Sequence, residues 1–175
     1  ESEKNVVARL TRKTSDEISN LEAFINRTGL KAVKLVAKME KEAIKKGQGG
    51  PFVELDPDSE PGEFLKASIS NLDSRVARLQ NLKNLVGVMP LAAPMDYFSI
   101  SSHFGKRKDP INRRWAMHYG LDLAGAIGTR VYATAPGTVV KAGFKGKFGK
   151  FIEVNHGLGF KTRYGHLNKI LVKRG

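Results

Sequence analysis

Four histidines, His103, His118, His156 and His166, are the residues of this chain best suited to metal or proton chemistry, and all lie in its second half. His118-Tyr119-Gly120-Leu121-Asp122 sets an imidazole and a carboxylate four residues apart, and both are zinc-ligand types. Geometry restricts what that spacing can do. On a straight strand, residues i and i+4 share a face but lie about 13 Å apart, too far for ~2 Å bonds to one ion. The pair can serve a metal only if the segment is a helical turn or a strand bent near Gly120, where glycine permits the bend.

His166, in Tyr164-Gly165-His166-Leu167, follows a strand-like run. A strand end can project an imidazole into a groove as general base or as a hydrogen-bond donor to an oxyanion. A solvent-exposed loop histidine is the plainer reading of that residue alone. His156, between Asn155 and Gly157, reads as support for a tight turn rather than as chemistry. The absence of cysteine excludes a disulfide scaffold, a thiolate nucleophile and a Cys-ligated zinc or iron–sulfur site, and leaves the redox compartment open.

The elements that must hold these residues come from two differently built halves. The 175 residues, 41% hydrophobic and 27% charged, have the composition of a globular protein, and no run approaches the roughly 18 apolar residues needed to span a bilayer. The formal net charge of +13 is uneven: residues 1–90 hold 15 Lys+Arg against 13 Asp+Glu, and residues 91–175 hold 15 against 4, or +2 and +11. A basic second half suits an anionic partner, whether nucleic acid, an acidic membrane face or a cell-wall polymer. The lysines are scattered, with no helix-turn-helix or RNA-binding sheet signature, so nucleic acid is not expected as the partner.

In the first half, Leu65, Ile69, Leu72, Val76, Leu79 and Val86, with Lys83 in the remaining slot, recur in steps of four and three. This predicts a coiled-coil-like helix over about Gly62 to Val86. Its expected partner lies upstream, where Thr14 to Glu17 match a capping box followed by Ile18, Leu21 and Ile25. An interruption is expected at Asn26-Arg27-Thr28-Gly29, then a second helix from about Leu30 to Lys46, ended by Gly47-Gln48-Gly49-Gly50-Pro51 and a loop to Gly62. The expected result is an antiparallel helical hairpin without catalytic residues. Pro90-Leu91-Ala92-Ala93-Pro94 reads as a stiff linker.

Beyond Tyr97 the chain turns to short β-branched and aromatic runs: Val131 to Ala133, Gly137 to Ala142, Phe151 to Val154 and Phe160 to Tyr164. Turns are expected at Pro136-Gly137, at Gly146 to Gly149 and at Asn155 to Gly159, which predicts an antiparallel sheet. The fold class is therefore α+β, with helices over 1–90 and a mostly antiparallel β domain over 91–175.

Taken together, the motifs resemble the LytM/lysostaphin-like zinc endopeptidases. The resemblance rests on Ser102 to Arg107, Asp109-Pro110-Ile111-Asn112, His118 to Ala124, Gly128-Thr129 with Val131 to Thr134, Gly137 to Val140, Gly149, Asn155-His156-Gly157 and Thr162 to Leu167, in that order and spacing over residues 97–175. It implies that His118 and Asp122 ligate zinc, that His166 is a catalytic histidine and that the substrate is a peptide of peptidoglycan. The helical first half resembles coiled-coil segments that precede this domain in Gram-negative envelope proteins. That implies a periplasmic site of action and contacts with other envelope or division proteins. The family's third zinc ligand comes from a His-x-His motif that does not occur in this sequence. Either the sequence stops before that motif or the domain binds without cutting. Val172 to Gly175 resembles the start of a hairpin that family members continue, which favours the first expectation.

Overall fold

The computed structural model describes residues 3–45, 61–108 and 113–175. Residues expected to form the turn at Gly47 to Pro51 and the loop before Pro61, and the Asp109 to Asn112 motif, lie outside them. The chain forms two compact units, Glu1–Met89 and Pro90–Gly175.

The first unit contains helices α1 (Glu3–Arg27), α2 (Ala32–Lys45) and α3 (Pro61–Val88). The expected interruption is real: Gly29 takes φ 82°, and the side chain of Asn26 accepts a hydrogen bond from the backbone N–H of Ala32 at 3.1 Å, closing the α1–α2 turn. The expected helix start at Thr14 is not. α1 runs straight through it, and the Thr14 and Ser15 hydroxyls donate to the carbonyls of Leu10 and Thr11, each at 2.8 Å. A hydroxyl inside a continuous helix bonds back one turn instead of capping.

α1 and α3 run in the same direction, with α2 as the return segment, so the expected antiparallel pairing of the two long helices is replaced by an up-down-up arrangement. Val7, Ala8, Thr11 and Arg12 line one cavity with Leu65, Ser68 and Asn71, and Ser15, Ile18, Ser19 and Glu22 line the next with Asn71, Ser74, Arg75 and Arg78. Half of the predicted seam holds. Leu65, Leu72, Leu79 and Val86 are half-buried, but the second row is Ser68, Arg75, Leu82 and Met89 rather than Ile69, Val76 and Lys83. Ile69 and Val76 are 45% and 50% exposed, whereas Leu82 and Leu85 are fully buried. The row is polar in its middle. Arg75 Nη1 donates to Ser15 Oγ at 2.6 Å, Arg78 pairs with Glu22 at 2.5 Å and Lys83 reaches Glu17 at 2.8 Å. The apolar core collects at the other end, from Ile18, Ile25, Ala32, Val36, Leu82, Leu85 and Met89.

Among the described residues the second unit has seven strands: β1 (Ser99–Ser102), β2 (Gly105–Lys108), β3 (Trp115–His118), β4 (Asp122–Ala124), β5 (Thr138–Phe144), β6 (Lys150–Gly157) and β7 (Phe160–Tyr164). They form three antiparallel sheets, β1-β4, β2-β3 and β5-β6-β7. Together with the helices this is the α+β class read from the sequence. Val131 to Ala133 is not a strand. Tyr132 N–H instead donates to Pro94 O at 2.8 Å, and Ala92 N–H to Thr134 O at 3.1 Å, so the proline-flanked stretch is tied into the unit rather than free.

β6 is the central strand and carries the unit's core: Phe151, Glu153, Val154 and His156 are buried. The Pro136-Gly137 turn lies tightly against it. A Cβ on Gly137 would come within 2.6 Å of Asn155 O and 2.8 Å of His156 Nδ1, so only glycine fits there.

Two outcomes follow. Leu82→Ala should destabilise the helical unit by about 2–5 kcal/mol, while Ile69→Ala stays within about 1 kcal/mol, in denaturant titrations followed by helical circular dichroism. Equal costs would show that the buried row has been misassigned. Gly137→Ala should cost about 1–3 kcal/mol by forcing backbone apart, read as a lowered melting temperature of the β unit.

Candidate metal and catalytic centre

The chain bends between β3 and β4. His118 ends one two-stranded sheet and Asp122 begins another, with Gly120 between them, so the pair is not on one straight strand. The bend brings the side chains together: His118 Nε2 lies 3.2 Å from Asp122 Oδ1. Partners fix both ends. β2 pairs with β3 through Gly105↔His118 to Lys108↔Trp115, and β1 pairs with β4 through Ile100↔Leu123 and Ser102↔Asp122.

The imidazole is oriented by the main chain. His118 Nδ1 lies 2.8 Å from His103 O, and because a carbonyl can only accept, Nδ1 carries the proton and donates it there. In the neutral ring Nε2 is then a lone-pair donor facing a carboxylate oxygen. Two ligand atoms at about 2.05 Å from a tetrahedral zinc sit about 3.3 Å apart, so the observed separation fits one shared ion. The outer hydrogen bond to a carbonyl is the usual support of a ligating histidine. Arg107, on the same face of the β2–β3 hairpin as His118, places Nη2 3.7 Å from Asp122 Oδ2. Among the described residues no group of three His, Cys, Asp or Glu side chains comes together to hold a metal.

His166 is held on another segment, just past β7. Its backbone has φ 55°, a left-handed conformation uncommon outside glycine. Hydrogen bonds on either side hold it there: His166 N–H to Phe148 O at 2.7 Å and Leu167 N–H to Lys150 O at 3.1 Å. Gly165 permits this approach, since a Cβ there would meet Phe148 Cδ1 at 3.3 Å and Phe148 O at 3.4 Å.

His156 has the supporting rather than chemical place expected of it, but it lies within β6 and not in a tight turn. It is 3% exposed, with Nδ1 2.8 Å from Pro136 O and Nε2 2.8 Å from Thr162 Oγ1. Thr162 Oγ1 lies 2.9 Å from Tyr164 OH, which accepts from Thr134 N–H at 3.0 Å. The chain of bonds ties three segments together and fixes Tyr164, two residues before His166. Sequence reasoning missed the roles of the His103 carbonyl and of Arg107, although both lie inside the Ser102 to Arg107 motif. A backbone carbonyl leaves no residue-type signal, and a lone arginine gives no sign of its partner.

Residues 116–175 match the model of Peptidase family M23. This part of the chain is an M23 domain. The relatives it resembles include a DD-carboxypeptidase/endopeptidase Mpg of Neisseria meningitidis, 39% identical over 47% of this chain and 19% of the relative. Another is the peptidoglycan DD-endopeptidase ShyA of Vibrio cholerae, 44% identical over 43% of this chain and 18% of the relative. The chain thus spans less than a quarter of the length of these relatives. A crystal structure of a zinc-containing peptidase from Vibrio cholerae is 41% identical over 47% of this chain and 26% of that one, with a TM-score of 0.44.

Within the M23 domain one buried carboxylate shows a clear electrostatic signature. The hydrogen bond from Arg163 Nε to Glu153 Oε2 at 2.7 Å holds the Glu153 carboxyl below the usual range, opposed by burial and assisted by the charges of Arg163, Lys141 and Lys145. A folded-state pKa below the unfolded value contributes stability that is fully present above the unfolded carboxylate's pKa. It is lost as pH falls through the folded one. Arg163→Met should therefore destabilise the domain most at neutral pH, with the difference from the parent shrinking as both are acidified. A pH-independent difference in denaturant midpoints would contradict the pairing.

Proposed function

We propose that the chain acts as a zinc-dependent endopeptidase on the peptide bonds of bacterial peptidoglycan, with the helical unit as a regulatory or recruiting segment in the periplasm. One observation carries the metal reading: His118 Nε2 and Asp122 Oδ1 lie at the spacing of two ligands on one ion, with Nδ1 committed to His103 O. The M23 match and relatives named as peptidoglycan DD-endopeptidases support the substrate class. When bound, zinc supplies Lewis acidity and a water acidic enough to attack at neutral pH. The protein's part is to present His118 and Asp122 in a fixed tautomer and geometry, and to hold His166 in a set orientation where its imidazole can accept or donate a proton.

A second reading, a non-catalytic module that binds peptidoglycan or regulates another wall hydrolase, is favoured by the ligand count. Catalytic zinc takes three protein ligands and a water, and among the described residues only two converge. Both readings predict weak zinc uptake by this chain and little or no hydrolysis. In chelator competition, His118→Ala and Asp122→Ala should each lower zinc affinity roughly tenfold or more, because affinity follows ligand number. Unchanged uptake in both variants overturns the metal site. Dye release from labelled peptidoglycan that disappears in His118→Ala would decide for the enzyme, with a third ligand from outside the described residues. Zinc uptake without release decides for the binding module only where it persists in a version of the chain extended by a His-x-His segment.

A further inference from the structure

The β2–β3 hairpin has two faces of different chemistry. Its register is Gly105↔His118, Lys106↔Met117, Arg107↔Ala116 and Lys108↔Trp115. Because side chains alternate along a strand and paired residues share a face, Gly105, Arg107, Ala116 and His118 belong to one side. Lys106, Lys108, Trp115 and Met117 belong to the other.

That second side is exposed in an unusual way. Trp115, the chain's single tryptophan, is 64% exposed, and Met117 is 41% exposed. Tryptophan normally buries most of its area, so an indole standing out on a strand marks a binding surface more than a packing one. Lys106 Nζ and Lys108 Nζ lie 5.3 and 5.8 Å from the indole centroid, within cation–π range. The ring thus gathers two ammonium groups around an apolar plate.

We infer that this face is a docking surface for the glycan strands of peptidoglycan, separate from the His118 side. The inference rests on the wall substrate proposed above. The indole plate suits the C–H face of a pyranose ring, and the ammonium groups suit the free carboxylates of the strand's peptide substituents. Charge complementarity argues for this occupant, since residues 91–175 carry 15 Lys+Arg against 4 Asp+Glu. The core of a protein–protein interface is depleted in lysine, so a plate flanked by two of them fits a protein partner poorly. Binding on this side would hold the chain on the wall while leaving the His118 side free.

The test is co-sedimentation of the whole chain with purified insoluble sacculi, with zinc uptake measured on the same samples. The parent should pellet in a salt-sensitive way. Trp115→Ala should weaken retention roughly tenfold, the scale of losing one aromatic stacking platform, and Trp115→Phe should restore most of it. Lys106→Gln with Lys108→Gln should weaken retention and flatten its salt dependence. Amidating the sacculus carboxylates should reduce the parent to the level of that double variant. All these variants should keep parental circular dichroism and zinc uptake.

Four results would each overturn the surface: no retention of the parent, parental retention of a variant combining Trp115→Ala with Lys106→Gln and Lys108→Gln, insensitivity to amidation, or stronger retention on single-stranded DNA than on sacculi. The two proposals fail separately. A chain that pellets as expected but takes up no zinc keeps the docking face and removes the metal site. One that takes up zinc through His118 yet pellets regardless of the three substitutions keeps the site and removes the face.

Discussion

An imidazole and a carboxylate four residues apart can meet only where the backbone turns between them, and the strands around His118 and Asp122 satisfy that requirement. β3 stops at His118 and β4 starts at Asp122, and the two strands belong to different sheets. Each is instead held by its own antiparallel partner, β2 or β1, and the segment joining β1 to β2 carries the carbonyl of His103 that sets the His118 tautomer. The loop between two short strand pairs is thereby held at both ends. A charged neighbour completes the arrangement: Arg107 lies beside the second oxygen of Asp122 and leaves the first directed at His118.

The three-stranded sheet does a different job. Its central strand is stapled from both sides, by the close approach of Gly137 and by the run of hydrogen bonds from Pro136 through His156, Thr162 and Tyr164 to Thr134. A polar network buried at this depth is stable only because its members satisfy one another, and no buried side-chain nitrogen or oxygen among the described residues lacks a partner. The network ends two residues before His166, whose left-handed backbone is held by Phe148 and Lys150. A strained residue at the end of a rigid strand is a common way to aim a functional side chain.

The helical unit departs from a simple coiled coil in a way that bears on its use. Its contact row is apolar near Leu82, Leu85 and Met89 but polar around Arg75, Arg78, Ser15 and Glu22. Half-exposed ion pairs of this kind contribute little to stability and more to register. They favour one alignment of α1 against α3 while leaving the middle of the row less firmly packed than the end at Leu82, Leu85 and Met89.

The sequence by itself determined the α+β class, the change of character near Pro90, the break at Gly29 and the need for a bend at Gly120, because each follows from local periodicity, composition or bond length. The motif order likewise sufficed to identify the family resemblance that the M23 match bears out. Tertiary structure alone decided which row of α3 is buried. Leu65, Leu72, Leu79 and Val86 were legible as one row, but Ile69 and Val76 look as apolar on paper as Leu82 does, and only the direction and polar contacts of α1 exclude them. It also decided the four short strands around the centre. Gly105 to Lys108 is polar apart from its glycine and becomes a strand only because Trp115 to His118 lies beside it. The His103 carbonyl, Arg107 and the partners of His156 belong to the same class of fact. A hydrogen bond between segments 15 or 20 residues apart leaves no trace in the spacing of either, because what positions the donor is the packing of strands and not the chain between them.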